Sequence, residues 1–249
     1  MSEWWNERGK DCIRLGHRGA SGNPREGENT ISSFEEALRR GAHGFEFDVR
    51  RAKCESLVII HDATIDRTTN GKGKVCDYTA QELEEFDAGF EDYIPTLEEV
   101  LVRYMETTTR LNIELKESGL AQDVKQMIEK WHVQEQVLVS CFDSDDHDNY
   151  SDTSWDDLRV FSPSIRTGLL VGLKKVIRCG DSRLTEEARA RNAYSINPHV
   201  SVTYPYLIRK AHACGIKVIS WTVNRPFTIE QLKLEAVDGL ISDFPERLL

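Results

Sequence analysis

The chain has 249 residues, with 32 Lys+Arg against 42 Asp+Glu and a formal net charge of −10. That balance argues against a binder of nucleic acid polymers, which works by neutralising phosphates, and a mean hydropathy of −0.48 argues against a membrane-embedded protein. An apolar share of 39% is enough for a sizeable core, and the length suits one α/β barrel of about 250 residues or two smaller domains.

Residues 1–11 read MSEWWNERGKD. They lack the basic start and apolar run of a secretory signal, and no segment has the roughly 20 apolar residues of a bilayer span, so a cytoplasmic protein is expected. Trp4 and Trp5 read as packing under the fold rather than as a membrane-surface anchor. Short apolar runs with β-branched content predict strands at 12–15, 44–49, 57–60, 111–115, 137–142, 167–171, 194–196, 217–223 and 239–242. Helical spacing falls between them. Thr30 caps a helix over 31–40 that Gly41 stops, and Thr96 caps one over 97–105 after Pro95. Further helices are predicted over 120–131, over 202–214 with Gly215 as its end, and over 228–234. Repeated strand–helix alternation predicts parallel strands with crossover helices. Setting 57–60 aside as a partner of the second strand leaves eight units, the count of a (β/α)8 TIM barrel. A doubly wound open sheet is the alternative, but no Gly-rich phosphate loop follows the first strand. One domain over 1–249 is expected, with an inserted segment at about 62–95 after the second strand and turns at Asn70-Gly71 and Lys72-Gly73. Long insertions in barrels sit on the side where active sites are built.

The six cysteines, Cys12, Cys54, Cys76, Cys141, Cys179 and Cys214, form no CxxC motif and read as reduced cytosolic cysteines. The acidic stretch 143–157 lacks the Gly and terminal Glu of a calcium loop and reads as solvated.

Alternation along the strands points to chemistry. In residues 44–49, Phe45, Phe47 and Val49 share one face, while Glu46 and Asp48 share the other. In 111–116, Ile113 and Leu115 face out, while Glu114 and Lys116 face in. Inward carboxylates repel one another, and burial raises their pKa unless a cation compensates. Three of them at strand ends suit one hard divalent metal ion, Mg²⁺ or Ca²⁺. A salt-bridge network among Glu114, Lys116, Arg18 and Glu46 explains the same pattern, and periodicity does not choose. His17 and His61 each end a strand near these carboxylates, where a side chain suited to proton transfer is useful. Arg18 offers a fixed cation to a phosphate oxygen, and the flanking Gly16 and Gly19 are expected to let backbone approach a ligand. His43, His132, His147, His199 and His212 read as surface or packing residues.

Nine short motifs occur in order: His17-Arg18-Gly19, Glu28-Asn29-Thr30, Glu46-Phe47-Asp48, His61-Asp62, Asp66-Arg67-Thr68-Thr69, Pro95-Thr96-Leu97-Glu98, Glu114-Leu115-Lys116, Trp221-Thr222-Val223-Asn224, and the run from Asp238 to Pro245. In this the chain resembles the glycerophosphodiester phosphodiesterase family over nearly its whole length. The resemblance implies a TIM barrel with an insertion after the second strand. It implies Glu46, Asp48 and Glu114 as metal ligands and His17 and His61 as the general acid/base pair. It places Arg18 and Lys116 on the phosphate, Trp221 in the pocket lining and Phe142 in an apolar wall. The expected reaction is metal-dependent hydrolysis of a small-molecule glycerophosphodiester to glycerol 3-phosphate and an alcohol. Water and the substrate's own 2-hydroxyl both remain as nucleophiles. The oligomeric state, a homodimer included, stays open. Two positions depart from the family pattern: Gly27 stands where Pro is usual, and Cys54-Glu55-Ser56 replaces an Asp-Gly turn. The rival readings are a lysophospholipase D, which needs an apolar ramp such as Phe86, Phe90 and Tyr93, and a catalytically silent barrel that binds phosphodiesters.

Overall fold

A computed structural model describes residues 12–22, 27–89, 91–143, 153–161 and 163–249. The order is β1 (Ile13–His17), α1 (Ile31–Arg39), β2 (Gly44–Arg51), β3 (Leu57–Ile59), α2 (Ala80–Glu84), α3 (Leu97–Tyr104), β4 (Arg110–Leu115), α4 (Ala121–Lys130), β5 (Val137–Cys141), β6 (Arg166–Val171), α5 (Leu173–Ala190), β7 (Ser195–Pro198), α6 (Pro205–Ala213), β8 (Lys217–Ser220), α7 (Pro226–Leu234) and β9 (Gly239–Ser242). Eight strands run in the spatial order β1-β9-β8-β7-β6-β5-β4-β2, and the β1–β2 pairing closes the ring. Every pairing around that ring is parallel. The fold is therefore the expected (β/α)8 barrel. β3 lies outside the ring and pairs antiparallel with β2, Val49 beside Ile59.

Alternation sorts the side chains into two cores. Outward residues of the strands pack under the helices, as where Phe34 of α1 stacks on Phe45 at 4.1 Å between centroids. Inward residues fill the barrel in layers. Ile13, Leu15, Leu138, Ile219 and Ile241 form an apolar plug. Two residues further along the same strands the interior turns polar, to His17, Ser140, Trp221 and Asp243. This change of layer puts the chemistry at the C-terminal ends of the strands.

Local signals explain several boundaries. Thr30 and Thr96 close capping boxes at α1 and α3, and Thr79 does the same for α2. Gly41 and Gly215, at φ 88° and 75°, follow α1 and α6. α5 was not legible as a helix. Its N-cap is Gly172, without a side-chain cap, and Gly180 interrupts it at φ 68°.

The segment between β3 and α3 carries its own small core, with Ile60, Ile65, Val75, Leu83 and Ile94 among its members. Phe86 packs against that core and meets Tyr78 edge-on, and the Tyr93 hydroxyl donates to Glu99. Phe86 and Tyr93 are half-buried, and Phe90 lies outside the described residues. So do Trp4, Trp5, His147 and residues 144–152 of the acidic stretch. All six cysteines are free thiols. Among the described residues no helix is long and apolar enough to cross a membrane.

Candidate active site

Strand register assembles the site. His17 lies beside Glu46 across β1 and β2, and Asp48 lies beside Glu114 across β2 and β4. One carboxylate oxygen from each of Glu46, Asp48 and Glu114 lies within 4.8 Å of the other two, and all three residues are buried. Cations reach this group from two sides. Lys116 Nζ is 2.6 Å from Glu114 and 3.6 Å from Asp48, and Arg18 Nε is 3.2 Å from Asp48. A salt-bridge network therefore exists, but it does not satisfy the carboxylates. Glu46 Oε1 and Asp48 Oδ1 are buried without a hydrogen-bond partner. Burial, then Asp48 and Glu114, push the Glu46 pKa well above its ordinary value. Burial also acts to raise that of Asp48, but Arg18 and Lys116 beside it hold it well below the usual range. Three hard oxygen donors in mutual repulsion, two of them with an orphaned oxygen, fit a divalent cation.

Both histidines of the sequence reading are clamped at the same ring atom. Asp243 Oδ1 lies 2.6 Å from His17 Nδ1, and Asp62 Oδ1 lies 2.6 Å from His61 Nδ1. Each carboxylate fixes the tautomer with the proton on Nδ1 and leaves Nε2 for chemistry. His17 Nε2 is 3.9 Å from Glu46. Asp243 is itself held by Ser21 and Asn224, and despite burial these hydrogen bonds, with that from His17, bring its pKa down to about 2. Burial lowers the His61 pKa below its ordinary value, so the ring is neutral near neutral pH.

Arg18 links these parts. Its backbone N–H donates to Glu46 at 3.1 Å, and its guanidinium donates to Glu28 at 2.8 Å. Glu28 accepts two bonds from Arg67, which also reaches Asp62, the partner of His61. A chain of alternating charges thus runs from Asp48 through Arg18, Glu28, Arg67 and Asp62 to His61.

Packing requires glycine at 16 and 19. A Cβ on Gly16 would stand 2.3 Å from the Gly19 carbonyl oxygen, and one on Gly19 would meet Ser33 Oγ at 2.4 Å. Both departures from the family pattern have a visible backbone counterpart. Gly27 has φ +66°, which proline cannot adopt. Cys54 and Glu55 take φ 63° and 70°, left-handed values that usually favour glycine.

Phe142 and Trp221 meet edge-on at 5.5 Å and form an aromatic wall. The Trp221 indole N–H donates to the Asn197 carbonyl at 2.8 Å, and His199 packs on its other side at 5.1 Å. Sequence reasoning missed three contributors. Asn29 donates to Asp48 at 2.8 Å, from a left-handed backbone with φ 59° that Asn tolerates. Asp243 orients His17, and strand alternation onward from Ile241 was the signal for its inward position. His199 braces Trp221 and follows β7 directly, as His17 ends β1.

Comparison with known proteins gives one answer. The model of the glycerophosphoryl diester phosphodiesterase family matches residues 17–247. A glycerophosphodiester phosphodiesterase from Caldanaerobacter subterraneus is 34% identical over 94% of this chain and 95% of its own. A solved glycerophosphodiester phosphodiesterase from Thermotoga maritima superposes with a TM-score of 0.77 at 27% identity, covering 96% of this chain and 97% of its own. A phosphodiesterase from Oleispira antarctica, solved with the product sn-glycerol-3-phosphate, gives 0.76 at 26% identity over 94% of each chain. The chain belongs to the glycerophosphoryl diester phosphodiesterase family.

Proposed function

We propose that this protein hydrolyses small glycerophosphodiesters to glycerol 3-phosphate and an alcohol, with a divalent cation held by Glu46, Asp48 and Glu114. The observation that carries the reading is the buried carboxylate trio, with two orphaned oxygens, set beside two histidines each clamped at Nδ1. When bound, Mg²⁺ or Ca²⁺ neutralises the phosphodiester and polarises its P–O bond.

The chain's own residues supply the rest. Arg18 and Lys116 are fixed cations that stabilise charge growing on the phosphoryl oxygens. Their pairing with carboxylates holds them in place before substrate arrives. His61, neutral near neutral pH, takes the proton of the nucleophile at Nε2. His17 enters this step with both ring nitrogens protonated, gives the Nε2 proton to the leaving alcohol, and is left as the Nδ1–H tautomer that Asp243 holds. Each such role is worth roughly 10²–10⁴ in rate. Phe142 and Trp221 wall the pocket and exclude water from one side of it.

The test is turnover of glycerophosphocholine with glycerol 3-phosphate as the measured product. We expect activity that is abolished by chelator and restored by Mg²⁺ or Ca²⁺, and loss of about 10²-fold or more in His17→Ala and in His61→Ala, with folding intact. Near wild-type turnover in either variant removes that histidine from the mechanism. Full activity in chelator removes the metal.

A further inference from the structure

Among the described residues, three imidazoles line the mouth of the barrel, and the third is held the other way round. Asp243 and Asp62 keep a proton on Nδ1 of His17 and His61. At His199 the backbone N–H of Ser201 donates to Nδ1 at 3.3 Å, and Ser201 Oγ lies 2.7 Å from the same atom. A backbone N–H can only donate, so this Nδ1 is an acceptor and the neutral ring carries its proton on Nε2. Burial lowers the His199 pKa below its ordinary value, which favours the neutral ring. The side chain is half-buried, and Nε2–H meets no partner among the described residues. His199 thus offers a proton at the atom where the other two neutral rings offer a lone pair.

Its place in the ring says what that proton meets. His199 directly follows β7 and lies beside Trp221 in parallel register. β7 and β8 stand opposite β2 and β4, four strands away in either direction around the ring. His199 and Trp221 therefore face the carboxylate trio across the barrel. Their ring planes meet at 73°, with centroids 5.1 Å apart. In an in-line displacement the leaving oxygen lies opposite the nucleophile. His61, the base on the nucleophile's side, follows β3 outside the ring, and His17, the acid for the leaving oxygen, ends β1. The alcohol on that oxygen consequently extends away from β2 and β3, across the mouth toward β8 and β7.

We propose that His199 determines specificity for the leaving alcohol: its Nε2–H donates to a hydroxyl oxygen of that alcohol, and the site selects polyols over alcohols without such an oxygen. This rests on the phosphodiesterase reading above. A polyol has an apolar C–H face and a rim of hydroxyls. The flat indole of Trp221 suits the first, and a donor on a ring set nearly at right angles to it suits the second. A quaternary ammonium accepts no hydrogen bond, so it gains nothing from Nε2–H.

The test compares the symmetric diester of phosphate with two glycerols against glycerophosphocholine, at saturating Mg²⁺. A kcat/KM about tenfold higher for the bis-glycerol diester, expressed mainly in KM, is expected from one added hydrogen bond. His199→Phe keeps a flat ring against Trp221 without the N–H and should bring the ratio to about one. His199→Gln retains an amide N–H and should keep part of the preference. A wild type without the preference overturns the proposal, as does one that favours choline, the mark of a cation held by the aromatic rings. Equal losses on both substrates in His199→Phe also overturn it, since a residue that only braces Trp221 would act so. Binding is read separately, by calorimetry of both diesters on His61→Ala, which lacks the base. A similar difference in Kd is expected, and equal Kd values overturn the proposal. A chain that binds the bis-glycerol diester selectively but hydrolyses neither refutes the catalytic reading and leaves this one standing.

Discussion

At the scale of single residues, the two histidines differ in what surrounds them and agree in how they are held. Asp243 accepts from His17 Nδ1 and is fixed in turn by Asn224 and Ser21. Asp243→Asn allows the other tautomer to form. We expect kcat to fall about 10²–10⁴-fold with little change in KM, and Asp243→Glu to rescue part of the loss. A proportional change in KM instead would make the residue structural. On the mechanism proposed above, His61 sets the pH dependence. Burial lowers its pKa, while Asp48 and the bond to Asp62 work to raise it. As the proposed base it must be neutral, so activity should be lost as pH falls through a value below about 6.5. Asp62→Asn removes one raising influence and should shift that acid limb to still lower pH. The limb is measured in kcat/KM at saturating metal. Movement to higher pH would separate His61 from it.

At the scale of elements, β2 and β4 carry the carboxylates and approach very closely at their starts. A Cβ on Gly44 would stand 1.9 Å from the Arg110 carbonyl oxygen. Gly44→Ala therefore pushes the strands apart and should lower Tm by roughly 10 °C, with loss of divalent-metal binding. Thermal unfolding with and without Mg²⁺ checks both. Elements were legible where chemistry is local. The Thr caps of α1 and α3 and the alternation of β2 were readable because cap and strand face depend on neighbours in sequence. α5 was not, because its glycine N-cap and the interior Gly180 hide a helix that tertiary packing maintains through Leu184 and Ala188. The inward carboxylates Glu46, Asp48 and Glu114 were legible by period two. Asn29 was not, because nothing in a loop sequence states that its amide reaches a strand.

At the scale of the whole molecule, the acidic total of −10 includes three carboxylates crowded inside the barrel. That crowding costs stability in the metal-free protein. A divalent cation at about 100 Kd should add about 2.7 kcal/mol, or roughly 5–10 °C in Tm. Glu46→Gln relieves the repulsion, so its metal-free Tm should equal or exceed that of the wild type while the metal-induced rise shrinks. Scanning calorimetry distinguishes this outcome from simple loss of a buried side chain, which would lower Tm in both states.

The contact between His17 and Asp243 joins residues 226 apart, across the β1–β9 pairing. During synthesis β1 is among the first strands to leave the ribosome and β9 the last. His17 therefore has no orienting carboxylate until β9 docks on β1, even in a nascent chain that already carries Arg18, β2, β4 and His61. On the mechanism proposed above, onset of full turnover is expected to report that docking, a clock for barrel closure in cotranslational folding.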